Sequence, residues 1–243
     1  MKQIMHVIRA RHTDRSPYSP GHPVTDEALA TLLEAARWAP TAHNMQNFDV
    51  LVVDDPAILA AIGAVRREIS EVFLRENYRQ MSFSEDELRR RKTGVLAATF
   101  PPAWRKPHAD ASTMEPSCLR DSMQGCPTLL VVLYDPEIRA PASEGDFLGI
   151  MSLGCVMQNL WLAAQSQSIS AQILSAFGAH SVQRELRSIL RLPANRRIAF
   201  ACRLGYSMAP APPPIRVRRE VPEFAYRNRY GVPCQANASA QRD

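Results

Sequence analysis

Two pairs of arginines lie near opposite ends of the 243-residue chain, Arg11-x-Thr13-x-Arg15 and Arg216-x-Arg218. Arginine carries a permanent charge on a planar fork of donors, a geometry that suits phosphate. A phosphate dianion needs several such donors converging from fixed positions. Residues 11, 13 and 15 alternate, so in an extended segment their side chains project to one side. Arg216 and Arg218 share that spacing, and the two clusters could close on one phosphate. Two unrelated basic surface loops would show the same pattern, and spacing taken alone favours them.

A second group of polar side chains lies in Leu33–Phe48, LEAARWAPTAHNMQNF. This stretch runs from an amphipathic helix through Pro40 and Thr41 into Asn44-x-Gln46-x-Phe48. Asn and Gln each offer a donor and an acceptor. They can serve the edge of a ligand or satisfy local backbone, and the residues alone leave the two readings level.

Other chemistries lack their residues. There is no Gly-x-Gly-x-x-Gly after a strand, no phosphate-binding P-loop, no His-Glu-x-x-His and no Gly-x-Ser-x-Gly. His22, His43, His108 and His180 fall in loops or at element ends, with no triad pattern around them. The five cysteines include no Cys-x-x-Cys, so neither a disulfide framework nor a metal site is expected. Cys155 and Cys202 sit in apolar runs and read as core, and Cys126 precedes a strand. The net charge of +5 suits an anionic small ligand. The basic residues are scattered and carry no nucleic-acid-binding signature, so nucleic acid is not expected as a partner.

The elements that must position these residues are legible in outline. The length fits one large domain, and 46% hydrophobic with 22% charged residues fits a globular core. Gln3–Ala10 reads as a short helix leading into the first basic cluster. Thr25 caps a second helix whose first turn is acidic, with Val24 stapled onto Leu29. Leu29, Leu32, Leu33 and Ala36 mark its core face, and Pro40 ends it. Val50–Val53 reads as a strand, and Pro56 opens another helix.

Arg66–Leu96 looks helical, with a capping box at Ser84 and Glu87. Phe100–Glu115 is proline-rich and irregular. Residues 66–125 therefore read as a helical insertion or lid within a single domain, 1–234. Thr128–Tyr134 is a continuous apolar strand of the buried kind. Phe147–Gln167 is apolar all round, as expected for a central helix; its apolar core, Phe147–Ala164, contains Gln158 and Asn159 and is short for a membrane span. Ala171–Leu174 and Ile198–Leu204 read as strands, with a helix at Ser181–Leu190 between them. Ala209–Pro214 is a connector, Arg219–Tyr230 a short helix and arm, and 235–243 a flexible tail. The first residues carry no signal-peptide order, so the cytoplasm is the default location.

Together these segments resemble the nitroreductase family of FMN-dependent flavoproteins. The family opens with Arg-x-Ser-x-Arg before an aromatic and Pro-Val; this chain has RHTDRSPY and then Pro23-Val24. Family members leave a late strand through Gly-Tyr-Pro toward a basic pair, as Gly205-Tyr206 precedes Arg216 and Arg218 here. Pro40, Thr41, Asn44 and Gln46 match a Pro-Ser-x-x-Asn-x-Gln-Pro-Trp segment, with Asn47 for the usual Pro and Phe48 for the usual Trp. Ser152-Leu-Gly154 through Gln158-Asn159-Leu160 to Ala164 is similar to the helix of the family's dimer core. The matches are poor between Arg66 and Gly125.

The resemblance implies an α+β fold, a mainly antiparallel sheet surrounded by helices, in a homodimer with FMN at the interface. It implies that Arg11, Thr13, Arg15, Arg216 and Arg218 hold the FMN phosphate, with His12 beside them. Pro40, Thr41, Asn44 and Gln46 would contact the ring, whose edge alternates donors and acceptors. Ile173 and Leu174 would lead into a turn where backbone N–H groups of Ser175 and Ala176 face flavin N5. No side chain is implied as catalytic, because the flavin carries the chemistry. Arg105, Lys106 and Arg120 are candidates, by location only, for a cation at the flavin N1–O2 edge. NADH or NADPH would donate electrons and a flat nitroaromatic, quinone or enone would accept them. Alternatives are a specialised flavin-dependent dehydrogenase or flavin-processing enzyme, a flavin-binding protein without turnover, and, last, a basic nucleic-acid-binding protein.

Overall fold

Four strands form an antiparallel sheet, β1 (Asp49–Val53), β4 (Thr128–Tyr134), β5 (Ser170–Leu174) and β6 (Arg197–Gly205), in the order β1-β4-β6-β5. The computed structural model describes residues 2–67, 86, 89, 90, 117–141, 145–208 and 217–234. The chain divides into two units, Met1–Ile69 with Glu115–Pro212, and Ser70–Met114 with Pro213–Asp243. The sheet belongs wholly to the first.

β4 explains why its sequence is apolar throughout. Its alternate side chains enter two different cores. Leu130 and Val132 join a cluster with α2 (Asp26–Arg37) and α5 (Phe147–Ser166). Leu129, Val131 and Leu133 join a second cluster. That cluster also contains Ile62 of α3 (Pro56–Ala64) together with Val182 and Leu186 of α6 (His180–Ile189). Helices thus cover both faces of the sheet, and a strand covered on both faces has no polar side to show.

The helix starts follow their caps. Thr25 Oγ1 accepts from the Ala28 N–H at 3.3 Å, with Asp26 and Glu27 in the first turn. Val24 and Leu29 lie in one buried cluster, as the staple requires. Asp55 accepts from the N–H groups of Ala57 and Ile58, and Pro56 occupies the first helical turn of α3. α1 (Lys2–Ala10) precedes the basic segment, and α4 (Arg120–Met123) is a single turn before β4.

Three expectations change. Arg66 and Arg67 are not helical: they form strand β2 (Arg66–Arg67), paired with β3 (Ser117–Cys118). α3 already stops at Val65, whose backbone is extended and whose carbonyl accepts from Leu119 N–H, so the chain leaves in a conformation ready for pairing. α5 is apolar all round but buried on one face only, through Leu153, Val156, Leu160 and Ala164. Its first turns expose Phe147, Ile150 and Met151. By length and composition alone α5 could cross a membrane, with a mean hydropathy of 1.5. Within 219–230 the only regular helix is the short 3₁₀ turn Val221–Glu223, closed by a capping box with Glu220. Residues 86, 89 and 90 are helical. The rest of 68–96, including Ser84 and Glu87, lies outside the described residues, as do Phe100–Glu115, Ala209–Pro214 and the tail 235–243.

α2 offers a direct test of the packing. Leu32 has no exposed surface, whereas Leu33 is half-buried. Leu32→Ala should cost about 2–5 kcal/mol, and Leu33→Ala less than about half of that. Urea denaturation followed by circular dichroism measures both; equal losses would mean that the buried face is assigned wrongly.

Candidate functional site

Residues 11–18 form an extended arm that is anchored at several points along its length. Asp14 N–H donates to the Ala171 carbonyl at 3.1 Å, which lays the arm along the edge strand β5. Arg203 of β6 is buried beneath it with no exposed surface. Its Nη2 donates to the carbonyls of Asp14 and Ser16, at 3.1 and 2.9 Å. Its Nη1 donates to the Met123 carbonyl at 3.0 Å and its Nε to Gln172 Oε1 at 2.7 Å. The guanidinium lies 4.1 Å from the centroid of the Tyr18 ring, and the Tyr18 hydroxyl donates to the Asp14 carbonyl at 3.0 Å. Burial raises the Tyr18 phenol pKa well above its ordinary value, so the hydroxyl stays a donor.

Trp161 of α5 holds the start of the arm. Its indole N–H donates to the His12 carbonyl at 3.1 Å, while its ring faces the Arg11 guanidinium at 4.1 Å. Arg15 is half-buried; burial depresses its pKa, and the charge of Arg203 adds to the effect. His12 and Asp14, the intervening positions, line a pocket of about 190 Å³ together with Trp161, Gln165, Ser168 and Ser170. That volume is too small for a whole dinucleotide-sized cofactor.

Asp14 is the arm's internal brace. Its carboxylate accepts from the Ser16 N–H at 2.9 Å, from the Ser16 hydroxyl, and from the Ser170 hydroxyl at 2.6 Å. Burial pushes its pKa up, but these hydrogen bonds outweigh that effect and hold the carboxyl below its ordinary value.

The arm therefore brings Arg11, Thr13 and Arg15 beside β5, and β5 leads through Ile173 and Leu174 into a 3₁₀ turn, Ser175–Gly178. The first N–H groups of such a turn point out of its N-terminal end without an intrahelical acceptor. Ser175 and Ala176 stand at that end, exposed and half-buried respectively, while Phe177 anchors the turn in the core.

Pro40–Gln46 lies elsewhere in the unit, against the N-terminal half of α5. Ala42 N–H donates to the Ser152 hydroxyl at 2.9 Å. Ser152 and Trp161 are separated by about 14 Å along the helix axis, so the loop and the arm meet α5 at different heights. The loop carries three left-handed residues that are not glycine, His43 (φ 50°), Asn44 (φ 54°) and Gln46 (φ 49°). Each costs on the order of 1–2 kcal/mol for an ordinary side chain, less for Asn. Thr41 Oγ1 accepts from the Gln46 N–H, and Gln46 Nε2 donates to Asn44 Oδ1. Asn44 and Gln46 are exposed and Thr41 is half-buried.

Of the C-terminal pair, Arg216 lies outside the described residues. Arg218 is exposed in the second unit and donates to the neighbouring Val217 carbonyl. Arg105 and Lys106 also lie outside; Arg120 is exposed at the start of α4. Burial pushes the Cys126 and Cys202 thiols up to about 11 and about 12, which makes both inert near neutral pH. Among the described residues no three metal-ligating side chains cluster. Arg203, Trp161 and the role of Asn47 were not visible in the sequence. One signal for Arg203 existed: it stands between Cys202 and Leu204 in a strand that otherwise reads as buried.

The sequence profile of the nitroreductase family matches residues 8–206. No curated protein matches the chain significantly. Solved structures share its fold. A nitroreductase with bound FMN from Bacteroides fragilis is 19% identical, with a TM-score of 0.53 over 85% of this chain and 89% of that one. A candidate NADH dehydrogenase/NAD(P)H nitroreductase from Parabacteroides distasonis is 17% identical, with a TM-score of 0.60 over 95% and 100%. An FMN-dependent nitroreductase from Clostridium difficile is 14% identical, with a TM-score of 0.58 over 93% and 99%. The chain belongs to the nitroreductase family.

The Asp14 brace makes the arm sensitive to acid. Its folded-state pKa is lowered, so its contribution to stability is present above the unfolded value of about 3.9 and is lost as pH falls through the folded one. Asp14→Asn should therefore flatten the acid side of the stability–pH curve. Denaturant titrations between about pH 2.5 and 6 check this; parallel curves for both proteins would remove Asp14 from the account.

Proposed function

We propose that this protein is an FMN-dependent oxidoreductase that passes electrons from NADH or NADPH to a flat, electron-poor acceptor such as a nitroaromatic, quinone or enone. The observation that carries the reading is the placement of Arg11, Thr13 and Arg15 beside the strand that ends in the Ser175–Ala176 turn. One donor set suits a phosphate, the other an electron-rich ring nitrogen, and family membership supplies a cofactor that has both.

FMN, when bound, supplies the two-electron chemistry. Arg11, Thr13 and Arg15 would hold its phosphate, joined by Arg216 and Arg218, with His12 at the start of the arm. The N–H groups of Ser175 and Ala176 would face the ring's reacting edge and stabilise charge that develops there. Pro40, Thr41, Asn44 and Gln46 would serve the ring from a second copy of the chain, since in one copy the loop and the arm meet α5 at different heights. A homodimer packed on α5 would also cover Phe147, Ile150 and Met151, which a single chain leaves exposed. Apolar patches of this kind are characteristic of association surfaces.

Arg11→Ala should weaken FMN binding about 10- to 100-fold, the worth of a charge-assisted contact, and leave riboflavin binding unchanged, because riboflavin lacks the phosphate. Arg218→Ala should behave likewise. Fluorescence titration of the apoprotein measures both flavins, and unchanged FMN affinity in both variants would sink the phosphate assignment. A single site serving donor and acceptor in turn gives parallel double-reciprocal lines in initial-rate kinetics; intersecting lines would mean separate sites.

A further inference from the structure

The segment Thr41–Gln46 is held in place by two side chains that lie outside it. The left-handed backbone at His43, Asn44 and Gln46 persists only where surrounding contacts over-determine it. On the C-terminal side the fixing group is Asn47. Its Nδ2 donates to the carbonyls of Asp135 and Ile138, at 2.8 and 3.1 Å, and its Oδ1 accepts from the Asp135 N–H at 3.0 Å. One amide thereby ties the loop to the backbone turn that follows β4.

That turn is itself braced. The buried Asp135 carboxylate accepts from the Glu137 N–H, from Asn195 Nδ2 at 2.7 Å and from Arg196 Nη1 at 3.2 Å. Arg196 Nε reaches back to Asp49 at 2.6 Å, two residues beyond Asn47. The clamp therefore rests on three chain segments at one end of the sheet, with the Asp135 side chain buried.

On the other side the fixing group is Ser152. Its hydroxyl accepts from the Ala42 N–H and donates to the Leu148 carbonyl at 2.8 Å. A proline at 47 could make none of the amide contacts, so this chain fixes the loop by hydrogen bonds instead of by a rigid ring.

We propose that Asn47 and Ser152 are positioning residues that hold Thr41, Asn44 and Gln46 at the spacing needed to contact the flavin ring. The proposal rests on the FMN reading above and adds how this chain sets the ring's environment. Neither residue touches the flavin; each acts through the loop. Because the loop would meet the ring and not the phosphate, loss of either clamp should weaken FMN and riboflavin alike, unlike loss of Arg11.

The test uses apoprotein titrated with FMN and with riboflavin, together with the reduction potential and visible spectrum of the FMN-loaded protein. Asn47→Ala and Ser152→Val should each weaken both flavins by about 5- to 10-fold, and shift the potential of the bound flavin. Ser152→Thr, which keeps the hydroxyl, should restore wild-type values. A clamp that only stabilised the fold would lower the melting temperature and leave potential and spectrum unchanged, and that result overturns the proposal. Should Asn47→Ala fail to fold, the Ser152→Val and Ser152→Thr pair decides alone. Wild-type protein that binds neither flavin overturns the FMN reading and this proposal together; wild-type binding with unaltered variants overturns this proposal only.

Discussion

The interaction on which the site depends is the burial of one cation. Removing a guanidinium from water costs several kcal/mol even after relaxation. Arg203 offsets that cost with four hydrogen bonds to neutral oxygens and with the face of Tyr18. Three of the four acceptors are main-chain carbonyls, those of Asp14, Ser16 and Met123. The cation and the arm therefore support each other: without the arm Arg203 loses two of its four acceptors and the Tyr18 ring, and without Arg203 the Ser16 and Asp14 carbonyls each lose a donor. The surroundings are cut to the same fit. A Cβ on Gly125, which has φ +76°, would lie 2.6 Å from the Tyr18 carbonyl. One on Gly205 would lie 2.9 Å from the Pro127 ring and 3.0 Å from the Tyr18 ring. Tyr18 is seated between backbone segments that only glycine permits.

A buried positive charge beneath an arm that bears Arg11 and Arg15 is an arrangement that repels itself. Asp14 softens it from the flank, but three hydrogen-bond donors already engage that carboxylate. The same constraint keeps the arm rigid, and a preorganised donor set binds with less ordering cost than a floppy one. Stability and ligand affinity here draw on the same contacts, so they should respond together to changes at Asp14, Ser170 and Trp161.

The sequence showed the fold well where a local rule and the tertiary pattern agree. α2 has its cap, its acidic first turn and its helical apolar spacing, and all three describe the helix that forms. β4 was legible because five consecutive aliphatic residues leave no polar side. The strand pair at 66–67 and 117–118 was not, because two residues carry no periodicity and their partner is distant in sequence. Arg203 was hidden for a different reason: an arginine in a strand reads as solvent-facing by composition, and its burial is explained by acceptors far off in sequence, among them carbonyls nearly two hundred residues earlier. Asn47 announced itself as a departure from a family pattern, yet its three acceptor and donor partners lie beyond the next strand and could not be read from local sequence. The alternation of Arg11, Thr13 and Arg15 was legible, but what holds it extended was not.

These failures share a physical origin. Apolar periodicity is a property of one element, whereas a polar side chain is satisfied by whichever backbone groups the fold happens to bring near. Among the described residues, no buried side-chain nitrogen or oxygen lacks a partner. That completeness is a global condition, and no window of sequence can reveal it. α5 shows the boundary between the two kinds of information. Its apolar circumference was legible, and so was its need for cover. The one-sided cover within the chain is a fact of packing. Its inner face meets α2, Ser152 holds the loop and Trp161 holds the arm. Anything seated on its outer face would therefore act on both the loop and the arm through a single rigid helix, which gives a second copy of the chain a reason to matter beyond the area it covers.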